Sequence, residues 1–295
     1  MYAIIGANGF LGSYLIKSIV ENTSENIIAV ARKIEGIPAG ERVFPLKCDI
    51  TSAKDVDALA GTIRHGEPCK MIYLAAYHNL DLIAQNPKLS WNINITSLAS
   101  FLNTIDNLSG FYFTSTDCVY GEGGSDYRFK ESDTLNPLSL YGVQKAAAEC
   151  LVNSRGYKVL RLPYMFGPSL SPQKKHFYDK IIDDLQQGRK IEMFYDSVRS
   201  SLDYSTVAGI TVKLAEINSN EKIPGIMNLC GDDSLSKYDL GVMLARKLSY
   251  PEDLIVSISM ENNNQIFQAK RASVCLMDNT LLKNTLGLTE IKIAL

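Results

Sequence analysis

The sequence predicts an α/β protein: a doubly wound parallel sheet with helices on both faces and a smaller C-terminal α/β lobe. Three observations predict it. From residue 1 to about 162, short apolar runs alternate with helix-period segments, the pattern of repeated strand–helix units that build a parallel sheet. The first apolar run ends in a glycine-rich turn that opens a helix. After Pro163 the periodicity breaks into smaller elements. Residues 1–162 are therefore read as one domain and 163–295 as a lobe interleaved with it, beside the strand ends.

The elements follow in order. Tyr2-Ala3-Ile4-Ile5 is a short buried strand, and Leu15, Ile16, Ile19 and Val20 mark one face of the helix after it. Between them stands Gly6-Ala7-Asn8-Gly9-Phe10-Leu11-Gly12. Gly6 and Gly9 leave room for a pyrophosphate, Gly12 lets the helix pack close to the strand, and the helix N-terminus offers free N–H groups. This turn, including Asn8, Phe10 and Leu11, is a dinucleotide-binding candidate and makes the fold Rossmann-type. A second strand over residues 26–33 ends about twenty residues past Gly12, where an acid would hold the ribose of NAD or an arginine the 2′-phosphate of NADP. The chain has Arg32 and Lys33 there and no acid before Glu35, so NADP(H) is preferred over NAD(H). A third strand over residues 42–49 delivers Asp49 and Ile50 to the adenine end; Asp49 either accepts from the adenine amino group or caps the helix starting near Ser52. A fourth, residues 69–76, ends in Leu74-Ala75-Ala76, small enough to admit a ribose. A helical segment over 80–107 is interrupted by Pro87. A fifth strand over 110–114 then brings Ser115 and Thr116 to the same sheet edge.

Residues 121–137 read as a loop over this edge, and Pro137-Leu138-Ser139 as a helix start. On that helix Tyr141 stands four residues before Lys145, so both side chains share a face. A nearby ammonium favours the phenolate, and such a tyrosine can exchange a proton with an alcohol or carbonyl oxygen near neutral pH. In the lobe, residues 176–188, 205–218 and 237–248 read as helices and 190–196 as a strand. Formal charge is −2, from 30 basic and 32 acidic residues, which gives no bulk attraction to nucleic acid or membrane. No apolar run approaches the ~20 residues of a bilayer span. The first strand begins at once, so no signal peptide is expected. Six cysteines are scattered without a C-x-x-C pair and there are three histidines, so no metal site is expected. Reduced thiols in a cytoplasm are the simplest account.

Taken together, G-A-N-G-F-L-G, Asp49, L-A-A, S-T-D-C-V-Y-G, Y-G-V-Q-K, R-L-P-Y-M-F-G-P from Arg161, the stretch from Arg199 to Ala208, N-L-C-G at Asn228 and R-A-S at Arg271 resemble the extended short-chain dehydrogenase/reductase family. The nearest subgroup is the dTDP-4-dehydrorhamnose reductase-like proteins. The resemblance covers essentially the whole chain. It implies that Thr116 hydrogen-bonds a substrate carbonyl, that Tyr141 is the acid/base, that Lys145 holds the nicotinamide ribose, and that Asn92 braces the site. Pro163 would lie against the cofactor, and His78, Tyr164 and Arg199 against the substrate, with Arg199 on its pyrophosphate.

The implied function is NAD(P)-dependent reduction of a keto group on a nucleotide-linked sugar, with a homodimer allowed. The alternative is a nucleotide-sugar epimerase or epimerase/reductase resembling GDP-fucose synthases, in which Cys118 and His176 would move a proton alpha to a ketone from opposite faces. A non-sugar reductase and a non-enzymatic NADP-binding protein are the further readings. The chain departs from the family at Thr206-Val207, where an aspartate is usual, and at Ala272, where a proline is usual.

Overall fold

In the computed structural model, residues 1–171, 174–217, 222–262 and 267–294 are described. The chain opens with β1 (Tyr2–Ile5), α1 (Phe10–Asn22), β2 (Ile27–Ala31), β3 (Val43–Lys47), α2 (Ala53–Arg64) and β4 (Cys69–Tyr73). The interrupted helical segment resolves into α3 (Leu80–Gln85), α4 (Pro87–Trp91), a π-helical turn (Asn92–Thr96) and α5 (Ser97–Thr104). Pro87 sits at the first position of α4, where its missing N–H costs nothing. Next come β5 (Leu108–Thr116), a 3₁₀ turn (Asp117–Val119), β6 (Arg128–Phe129), α6 (Leu140–Asn153) and β7 (Lys158–Leu162). The remainder contains β8 (Met165–Phe166), α7 (Phe177–Gln186), β9 (Ile191–Phe194), β10 (Val198–Arg199), β11 (Leu202–Asp203) and α8 (Tyr204–Ala215). It closes with β12 (Ile226–Asn228), β13 (Leu235–Ser236), α9 (Lys237–Lys247), β14 (Ile255–Ile258), β15 (Val274–Met277) and α10 (Thr280–Leu286).

The main sheet has seven strands in the order β12-β7-β5-β4-β1-β2-β3, and every neighbouring pair is parallel. Strands this buried need apolar residues on both faces, and β1 and β2 are buried at every position. Two cores cover the faces. One packs Tyr14, Leu15 and Ile19 of α1 with Val207, Ala208 and Leu214 of α8. The other packs α2 and α5 against β4 and β5 through Leu59, Ile63, Phe101, Met71 and Phe111. A separate core in the C-terminal half joins α7, α9, β9 and β14 through Ile181, Leu185, Met193, Leu244 and Ile255.

Two expectations shift in detail. The helix expected over residues 205–218 is α8, which belongs to the main core and not to a peripheral lobe; residue 218 lies outside the described residues. β12 likewise comes from beyond residue 162 and forms the edge of the main sheet. The reason in both cases is burial: α1 and β7 each have an apolar flank that the first half of the chain leaves uncovered.

Candidate functional site

The carboxyl ends of β1, β2, β4, β5 and β7 open onto one cleft of about 1090 Å³. Gly6, Asn8, Gly9, Phe10, Leu11, Arg32, Lys33, Asp49, Ile50, Leu74, Ala75, Ala76 and Pro163 line it along one stretch, and His78, Thr116, Tyr141 and Lys145 along the rest. The switch point of a doubly wound sheet is where such a cleft is expected. The glycine turn is a cradle that a side chain would fill. A Cβ on Gly12 would fall 2.6 Å from Ala7 O, so only glycine brings the start of α1 this near the end of β1. The residues present thus fit a dinucleotide.

Just past β3, Asp49 Oδ1 accepts from the N–H of Thr51 at 2.9 Å and its hydroxyl at 2.7 Å. The cap of α2 is Ser52, which accepts from the N–H of Asp55, so the capping alternative for Asp49 is replaced. Arg32 and Lys33 are exposed at the end of β2. Asn8 Nδ2 donates to Lys33 O at 2.8 Å, tying the glycine turn to this corner.

At the opposite end, Ser139 caps α6 by accepting from the N–H of Gly142. This places Tyr141 in the first turn. Gly142 lets that turn meet the end of β5: a Cβ there would fall 2.8 Å from Pro137 Cβ and nearer still to the carbonyl oxygen of Cys118. Lys145 is buried; its Nζ donates to Thr114 O at 2.5 Å and lies 4.1 Å from the centre of the Phe113 ring. Burial pushes its ammonium down to about 7, while the Glu149 carboxylate one turn on works the other way. Burial pushes the Tyr141 phenol up, with Cys118 and Asp117 adding to it. The expected lowering by Lys145 is not among these influences. The dominant force at Tyr141 is desolvation, and it keeps the phenol protonated, the form that can donate.

The Thr116 hydroxyl donates to Asp117 Oδ1 at 3.0 Å and accepts from the N–H of Cys118 at 3.2 Å. Asp117 in turn meets Arg199 Nε at 3.1 Å. Arg199 is not aimed at a pyrophosphate. Its other donors go to the carbonyls of Val198 and Ser273 at 2.8 Å and of Ala272 at 2.6 Å. A guanidinium with its fork spent on the protein is a brace, here one that orients Asp117 and, through it, Thr116.

Asn92 is exposed, and the brace is Asn94. Its side chain accepts from Tyr77 N–H at 2.8 Å and donates to Tyr77 O at 2.9 Å and to Gln144 Oε1 at 2.7 Å. Gln144 lies between Tyr141 and Lys145 and donates onward to Ser90 Oγ at 2.9 Å. Asn94 is the buried residue of the π turn Asn92–Thr96 that joins α4 to α5.

Cys118 and His176 sit in different networks. Burial, with Asp117, pushes the Cys118 thiol up to about 12. The His176 ring accepts at Nδ1 from the N–H of Tyr178, capping α7, and its Nε2 lies 2.9 Å from Tyr204 Oη. Burial holds its imidazole below the ordinary range. Neither lines the cleft. Tyr164 packs against the core of the C-terminal half, with its phenol pushed up by burial, and does not line the cleft; Met165 and Tyr204, given no role in the sequence reading, do.

Among the described residues no group of three or more His, Cys, Asp or Glu is placed to hold a metal, and no helix is long and apolar enough to cross a membrane.

Known proteins agree with this architecture. The bovine (Bos taurus) methionine adenosyltransferase 2 subunit beta is 23% identical over 97% of this chain and 82% of its own length. A dTDP-4-dehydrorhamnose reductase of Aggregatibacter actinomycetemcomitans is 24% identical over 97% of this chain and 92% of its own. The dTDP-4-dehydrorhamnose reductase of Bacillus anthracis, solved in complex with NADP, superposes with a TM-score of 0.77 at 19% identity over 98% of this chain and 94% of that one. The UDP-glucuronic acid 4-epimerase of Bacillus cereus, solved with UDP-glucuronic acid and NAD, superposes with a TM-score of 0.80 at 20% identity over 99% and 94%. At these identities the superpositions establish the fold. The family described as RmlD substrate binding domain matches residues 2–292, and this chain, with its extended short-chain dehydrogenase/reductase fold, belongs to that family.

Proposed function

We propose that this protein is an NADPH-dependent reductase of a keto group on a nucleotide-linked sugar. The observation that carries the reading is that Thr116, Tyr141 and Lys145 line the same cleft as the glycine turn and the Arg32-Lys33 corner. A hydroxyl, a phenol and an ammonium beside a dinucleotide cradle suit carbonyl reduction. When bound, NADPH supplies the hydride. Tyr141, held protonated by its burial, donates its proton to the carbonyl oxygen, and solvent restores it. Thr116 turns its hydroxyl from Asp117 to the same oxygen and fixes the carbonyl. Lys145 holds the nicotinamide ribose, and Asn94 with Gln144 keeps the Tyr141 face of α6 in register. Membership in the family and the reductase among its relatives support the substrate class.

Proton donation of this kind contributes ~10²–10⁴ in rate. Tyr141→Phe is expected to lower NADPH-dependent turnover of a 4-keto nucleotide sugar by about that factor and to leave NADPH affinity within about twofold. Full activity in Tyr141→Phe would refute the role. The relative named as a subunit of another enzyme favours one second reading, a dinucleotide-binding subunit without turnover. NADPH consumption across dTDP-, UDP-, GDP- and CDP-linked keto sugars separates the two. Product formed without net NADPH consumption would point instead to epimerisation.

A further inference from the structure

Lys174 reaches the glycine turn from the far half of the chain. It lies between β8 and α7, in a segment pinned to α1 at several points. Tyr14 Oη donates to Pro168 O at 2.8 Å. The His176 ring stands edge-on to Phe10, centroids 4.8 Å apart, and is held from behind by Tyr204. So fixed, Lys174 Nζ donates to Asn8 O at 2.5 Å. Since Asn8 Nδ2 donates to Lys33 O, a single asparagine joins Lys174 to the corner that carries Arg32 and Lys33.

All three cations line the cleft, together with Glu35. None of the three makes an ion pair with a carboxylate among the described residues. Burial, and then Lys33, lowers the affinity of Lys174 for its proton, as expected of like charges gathered at one rim. Such a cluster is unfavourable alone and is relieved by an anion carrying close to two charges. An ammonium has three donors; the bond to Asn8 O uses one. We propose that Lys174 is a specificity-determining residue that grips the ribose 2′-phosphate of NADP(H) together with Arg32 and Lys33. The assignment rests on the NADP reading above. It favours the 2′-phosphate over the pyrophosphate because Asn8 links Lys174 to the end of β2, where the adenosine ribose lies in this fold.

The test uses the full chain and two cofactor fragments, 2′,5′-ADP and 5′-AMP, titrated by calorimetry without any sugar substrate. The wild type is expected to bind 2′,5′-ADP more tightly. In Lys174→Gln that affinity falls ~5- to 20-fold, the range for a charge-assisted bond at a partly exposed site, while 5′-AMP binding stays within about twofold. Lys174→Arg retains most of the preference, and equal melting temperatures exclude misfolding. If the wild type binds both fragments equally, the NADP reading itself fails. If the wild type discriminates but Lys174→Gln loses nothing, or loses both fragments equally, the role of Lys174 is overturned and the NADP reading stands.

Discussion

Removing the carboxylate of Glu149 tests how α6, the helix of Tyr141 and Lys145, is held. Glu149 lies on α6 one turn past Lys145, and its side chain and that of Arg161 on β7 are 3% and 2% exposed. Arg161 Nη2 donates to Glu149 Oε2 at 2.7 Å and Nε to both carboxylate oxygens at 3.1 and 3.2 Å. Ser115 Oγ, next to Thr116, donates to Oε1 as well. Arg161 Nη1 is satisfied elsewhere, by Tyr120 Oη at 2.7 Å and Glu131 O at 3.2 Å. Glu149→Ala therefore strands Nε and Nη2 of a buried guanidinium and one hydroxyl. Breaking a buried pair from one side costs ~3–5 kcal/mol, and the lost Ser115 bond adds ~1 kcal/mol. The sum is a large share of a typical stability of ~5–15 kcal/mol. Urea denaturation is expected to show a much lower midpoint at unchanged slope. The double variant Glu149→Leu/Arg161→Met removes both charges and is expected to be far more stable than Glu149→Ala, with a coupling energy of ~3 kcal/mol or more. A double variant whose loss equals the sum of the two single losses would refute this account, because the pair would then carry no mutual compensation.

Two further predictions concern the same helix and its lysine. Gly142→Ala drives a Cβ into Pro137 and the Cys118 carbonyl; overpacking of ~1–3 kcal/mol next to Tyr141 should lower kcat more than it changes KM. The control Gly61→Ala, where nothing lies within 4 Å in the middle of α2, should raise stability by ~0.5–1 kcal/mol, measured by the same denaturation. Lys145, pushed down to about 7 by burial, loses its ammonium as pH rises through that value, so kcat/KM should decline above about pH 7. The unfolded chain binds this proton up to about pH 10.4, so the lysine's contribution to stability rises with pH between those two values. Lys145→Met should remove that rise, as read from urea midpoints across the window.

The glycine-turn end of the cleft was legible in sequence because its signals are local. A glycine turn between an apolar strand and a helix needs no long-range information, and Gly6, Asn8, Gly9, Phe10, Leu11, Arg32, Lys33, Asp49 and the 74–76 stretch all line one cleft. The Thr116–Tyr141–Lys145 set was legible for the same reason: α6 starts at the cap the sequence marks, and its helical spacing brings Lys145 to the Tyr141 face. What escaped was set by contacts far apart in sequence. Arg199 looked free for phosphate because nothing local announces that Asp117 and the carbonyls of Ala272 and Ser273 occupy it. Asn92 was named by resemblance alone, and nothing local in N-I-N-I-T tells which asparagine turns inward to Tyr77 and Gln144; the fold turns Asn94. Cys118 and His176 were offered by resemblance as a proton-moving pair, but tertiary packing makes His176 the cap of α7 and leaves both residues off the cleft lining.

The path of the chain after residue 162 limits how such a protein can be rebuilt. α8 packs against α1 in the main core, and β12 completes the sheet beyond β7. Exchanging the whole C-terminal half with that of a relative, to import a new sugar preference, would also replace these two foundations and the Lys174 segment resting on the nucleotide corner. A chimera that keeps residues 204–215 and 226–228 native and grafts only the α7, α9, β9 and β14 cluster disturbs neither, so specificity is better transplanted in pieces than by halves.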